Sequence, residues 1–216
     1  SNMSDSAIEK NNKELESEFF QDSAIDRTYL TKSGDIETMI EKTIWEKDID
    51  IVVMGIKGLM GAREMIKGSI TAHLIDKPSA AVLGIPGITS TECMDKMCVT
   101  VDKIKSVDKK GFEIIRALAG ACGSTVEVFH VQNTQEPSAG DDVDHQLAEF
   151  FGDLYAGYQE IPGKDIMSIT EKYLYENKID MLILFHSSAS DQSHHRSMAK
   201  SWIFKANIPL LILPGH

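Results

Sequence analysis

The sequence predicts an α/β protein built as a tandem repeat of one unit, a parallel five-stranded sheet flanked by helices, with the opening β-α-β missing from the first repeat. Two observations carry this. Short apolar, β-branched runs alternate with amphipathic stretches of helical period along the chain, the pattern of right-handed βαβ crossovers. At an offset of 130, Asp35-Ile36, Glu41-Lys42, Glu46 and Ile49-Asp50 recur as Asp165-Ile166, Glu171-Lys172, Glu176 and Ile179-Asp180, each set followed by an apolar strand.

Ser1-Asn2-Met3 reads as a remnant of tag cleavage before a start methionine and is left out of the fold argument. Residues 8–20 have the period of a polar amphipathic helix, and 27–32 alternate like a short strand. After the turn at Ser33-Gly34-Asp35, Asp35 caps a helix to about residue 47, in which Ile36, Met39, Ile40 and Ile44 keep the 3.6 spacing. Residues 51–54 are continuous and β-branched, as a strand buried on both faces should be. A glycine-punctuated loop, a helix over 69–76 and a strand over 80–85 complete the first repeat, placed at 4–88. Residues 86–92, rich in Pro, Gly, Ser and Thr, read as a linker to the second repeat at 96–216. There the expected strands are 97–101, 125–131, a weak one at 157–161, 181–185 and 210–213. The helices between them are expected at 109–122, 144–156, 166–177 and 198–206. The second copy thus has five strands, while the first starts at what would be its third. A segment of the natural protein absent from this chain explains that best; strands borrowed from another chain, or residues 97–131 serving both sheets, are the alternatives.

Composition limits function. With 42% apolar and 25% charged residues the chain folds as one large domain or two modest ones, which excludes disordered and collagen-like classes. No apolar run reaches the roughly 18 residues of a membrane helix, and the polar, acidic N-terminus does not resemble a signal peptide, so a cytoplasmic protein without a membrane partner is expected. The net charge is −11 and both halves are acidic, so nucleic acid is not an expected partner. Cys93, Cys98 and Cys122 form no CxxC, which argues against a disulfide framework and a zinc cage and for a reducing compartment.

The chemistry lies in the loop after residues 51–54. Gly55-Ile56-Lys57-Gly58 is followed by nine residues and then Gly68-Ser69 at the start of a helix. The carboxyl end of a strand feeding a helix is where an open α/β sheet binds its ligand. Gly55 and Gly58 let main-chain amides approach an anion, Gly68 clears the helix entrance, and Ser69 caps the helix or donates to a phosphate oxygen. Lys57, Arg63 and Lys67 supply countercharge.

The spacing Gly-x2-Gly-x9-Gly-Ser, filled by Gly55, Gly58, Gly68 and Ser69, resembles the nucleotide-binding signature of the universal stress protein family. Pro78-Ser79-Ala80-Ala81-Val82-Leu83-Gly84-Ile85-Pro86 is similar to that family's closing strand. The resemblance covers essentially the whole chain as two repeats. It implies an adenine nucleotide alpha hydrolase-like sheet, dimer or tandem pairing through the last strands, and ATP binding in some members. In ATP-binding members an acidic residue at the end of the first strand meets the adenosine, and Asp102 stands at that place in the second repeat. The second phosphate loop departs from the pattern, with Phe185 and Ser188 where glycines would be and Met198 or a neighbour at the third. Each repeat keeps the half of the site that the other lacks.

The expected function is therefore an ATP-binding, universal stress protein-like regulator of the stress response. It uses Gly55, Lys57, Gly58, Gly68, Ser69 and Asp102, pairs as a homodimer, and holds no metal beyond nucleotide-bound magnesium. The alternative is a nucleotide-free structural or partner-binding dimer scaffold of the same family. An enzyme is not expected, because a phosphate-activating member of the wider hydrolase-like group would need a catalytic residue that the sequence does not offer.

The remaining residues have plainer readings. His186, Asp191, His194 and His195 lack fixed ligand spacing and read as solvated loop residues. Cys122 shares a helix face with Ile115 and Leu118 and is expected to pack, and no pattern marks Cys93 or Cys98 as a nucleophile. Met39, Met54 and Met65 fill cores and loops. Trp45 and Trp202 close helices and are expected to pack, and Asp102 also reads as a turn residue.

Overall fold

The computed structural model describes Asp26, residues 28–56, 70–76, 78–86, 94–101, 109–132, 140–186, Trp202 and 207–214. The expected helices at 8–20 and, Trp202 apart, 198–206 lie outside these residues. The chain divides into two units, Ser1–Ile40 and Glu41–His216.

In the first unit Asp35 opens helix α1 (Ile36–Lys47) by accepting bonds from the Thr38 amide at 3.0 Å and the Thr38 hydroxyl at 2.9 Å. Of the strand expected at 27–32, residues 28–32 form none: 28–33 carry no regular structure, with Tyr29 and Leu30 exposed. Alternation alone cannot hold a strand, because its amides and carbonyls need a neighbouring strand to bond.

The second unit contains the rest of α1 and β1 (Ile51–Gly55), α2 (Ile70–Asp76), β2 (Ala81–Ile85), β3 (Lys96–Thr100), α3 (Lys109–Cys122) and β4 (Thr125–Gln132). It continues with α4 (Gly140–Phe151), β5 (Tyr155–Pro162), α5 (Ile166–Asn177), β6 (Met181–Phe185) and β7 (Leu210–Leu213). The seven strands form one sheet in the order β1-β2-β7-β6-β3-β4-β5. All neighbours are parallel except β2 and β7, which pair antiparallel from Val82↔Ile212 to Gly84↔Leu210. The last strand of each repeat thus meets the last strand of the other, as the resemblance implied. β3 pairs with β4 and β6, both of its own repeat, so residues 97–131 do not serve the first repeat.

The duplication is visible in detail. Helix α1 and α5, β1 and β6, and the left-handed residues Asp48 (φ 50°) and Lys178 (φ 54°) are each 130 apart. So are the ion pairs Lys42–Glu46 and Lys172–Glu176. Asp165 caps α5 as Asp35 caps α1, accepting from the Ser168 amide at 3.2 Å and the Ser168 hydroxyl at 2.7 Å. Asp165→Ala leaves that amide without its acceptor and is expected to lower stability by about 1 kcal/mol, read as a shift of the urea midpoint at constant m.

The core lies where α3 and α4 cover one face of β3, β4 and β6, with Met97, Phe112, Ile115, Val128, Leu147 and Ile183 buried. Four expectations are corrected here. Helix α4 starts earlier and ends at Phe151, not 156, because Gly152 takes a left-handed φ of +57° and a short 3-10 turn follows. The weak strand at 157–161 is the eight-residue β5, with a bulge where Glu127 pairs Gly157 and Ala156 is skipped; Gly157 sits at φ +137°. Trp45 does not pack: it is 86% exposed, like its counterpart Tyr175, and Ile44 is the residue that turns inward. Trp202 is buried, as expected. Cys122 is exposed, since the buried stripe of α3 stops at Ala119 and Gly123 turns the chain toward β4.

Candidate functional site

At the carboxyl end of the first repeat, β1 closes on Gly55 and β2 on Ile85, held in register by their parallel ladder. The Ile56 amide donates to the Ile85 carbonyl at 2.9 Å and fixes where the chain leaves the sheet. Ile56 is buried, and its side chain lies over Gly84, where a Cβ would stand 2.6 Å from Ile56 Cγ1. Gly84 is therefore needed for Ile56 to seat. At Gly55 the opposite holds: among the described residues, a Cβ there would meet no atom within 4 Å. Beyond the loop, α2 buries Leu74 and Ile75, while His73 and Glu41 meet at 3.2 Å in solvent.

Of the residues expected to hold a ligand, Gly55 stands at this strand end. Lys57, Gly58, Gly68, Ser69 and Asp102 lie outside the described residues, as do Arg63, Lys67, Cys93, Asp191, His194 and His195.

The second repeat offers a direct comparison. The His186 amide donates to the Leu213 carbonyl at 2.8 Å, repeating the bond of Ile56, so the stretch from that amide to the last strand is two residues shorter here. Phe185 stands where Gly55 stands in the first repeat. Its ring stacks on Phe112 with centroids 5.2 Å apart, and Phe112 in turn meets Phe151 at 5.6 Å and Phe150 at 6.1 Å. The Arg116 guanidinium lies 4.8 Å from the Phe150 ring centroid. Space next to this strand end is filled by the protein's own rings. The sequence showed Phe185 at a glycine position but not Phe112 as its partner.

One group beside the expected Asp102 was missed by sequence reading. His130 donates from Nδ1 to the Val101 carbonyl at 2.7 Å, and the Val101 amide donates to Phe129 at 3.1 Å, so the end of β3 is fixed from β4. A polar residue in a buried strand was the only signal available. Cys98 is fully buried, and burial together with Glu127 pushes its thiol well above the usual range, which makes it inert. Tyr173 donates to Glu127 at 2.7 Å and stacks on Phe129 at 4.4 Å; burial and the neighbouring carboxylate hold its phenol protonated. Tyr155 with Asp144 and Tyr158 with Glu160 behave likewise. Among the described residues no cluster of His, Cys, Asp and Glu is arranged to hold a metal, and no helix is long and apolar enough to cross a membrane.

Comparison with known proteins gives this geometry a context. Residues 2–86 match the model of the universal stress protein family. The fold of a universal stress protein from Archaeoglobus fulgidus superposes with a TM-score of 0.64 at 14% identity, covering 99% of this chain and 80% of that one. A functionally unknown protein from Pseudomonas aeruginosa gives 0.64 at 14% identity, over 99% of this chain and 79% of its own. None of the curated proteins matches the chain. The first repeat thus resembles the universal stress protein family, and almost the full length of the chain shares the fold of a solved member of it.

Proposed function

We propose that the protein is an adenine-nucleotide-binding regulator of the stress response and that ATP, with its magnesium, binds at the first repeat. The match of residues 2–86 to the universal stress protein family supports the stress-response role. The observation that carries the site is the contrast between the two strand ends: no described side chain fills the place beside Gly55, while a stacked Phe185 stands at the same place in the second repeat. In this reading the amides from Gly55 through Gly58 to Gly68 and Ser69 receive the phosphates, and Lys57 adds countercharge. The protein binds and does not turn over its ligand, acts in the cytoplasm as a homodimer, and needs neither nucleic acid nor membrane.

A second reading, a nucleotide-free scaffold of the same family, is favoured by a different observation. In the second repeat β3 forms one wall of the crevice beside β6, and among the described residues nothing stands in that place beside β1. Calorimetric titration with ATP and mass spectrometry of the native protein separate the two. ATP is expected to bind the wild type, and Gly58→Val, which puts a branched side chain into the anion loop, is expected to weaken it at least tenfold, about 1.4 kcal/mol. A wild type that gives no heat and carries no nucleotide leaves the scaffold reading standing. Equal affinity in the variant moves the nucleotide elsewhere.

A further inference from the structure

We draw no further inference here: the strongest candidate, the exposed apolar patch around Val53 at the β1 end of the sheet, carries nothing because nothing in the structure shows what covers it.

Discussion

Phe112→Ala is expected to destabilise the protein by about 3–5 kcal/mol, the usual cost of removing a buried aromatic ring together with the cavity it leaves. Phe112 is the centre of the ring cluster: it stacks on Phe185 from β6 and touches Phe150 and Phe151 from α4. Its loss releases Phe185 as well, so the effect exceeds what its own area implies. Denaturant unfolding checks the magnitude. Because the space left is lined by Phe150, Phe151 and Phe185, it should stay dry and take up a small aromatic such as benzene, raising the variant's thermal midpoint in a concentration-dependent way. A cost below about 1 kcal/mol would mean that the neighbouring rings collapse into the space and that the second strand end is held by something else.

Gly84→Val should cost about 1–3 kcal/mol through overpacking, because the new side chain enters the volume of buried Ile56 and has backbone beneath it. The displaced residue is the one whose amide closes the strand ends on Ile85, immediately before the loop assigned to phosphate. Stability and ATP affinity should therefore fall together, although Gly84 itself touches no ligand. Ile56→Ala alone should cost about 2–4 kcal/mol, and the double variant clearly less than the sum, with a coupling of at least 1 kcal/mol in a double-mutant cycle. Additive costs would show that Gly84 and Ile56 do not share one volume.

Much of this architecture is legible in the sequence where local signals agree. Helices α3 and α5 and strands β6 and β7 fall at their expected residues, since capping (Asp165), period and continuous apolar runs all point the same way. The repeat offset carries through to backbone conformation, which is why Asp35 and Asp165 cap alike. What fails depends on partners distant in the chain. Residues 28–32 alternate as a strand does yet form none, and the bulge at Ala156 exists only in relation to Glu127. Periodicity placed Ile44 on the apolar face of its helix, and the structure buries it; Trp45, one position off that face, was expected to pack only because its ring is large and apolar. At the candidate site Gly55 was readable from spacing, but the pairs Ile56–Gly84 and Phe185–Phe112 were not, because each joins residues far apart in sequence.

The antiparallel seam between β2 and β7 has a consequence for how signals could travel. It turns the carboxyl ends of β1 and β2 toward one border of the sheet and those of β3, β6 and β7 toward the opposite border. A molecule arriving at Gly55 and a partner reading the Phe185 end would approach from opposite poles. Three facing residue pairs, Val82 with Ile212, Leu83 with Leu211 and Gly84 with Leu210, form the strand contact between them. A nucleotide bound as proposed would sit at one pole only, the other being filled by Phe185, and any response to it would have to cross that short bridge.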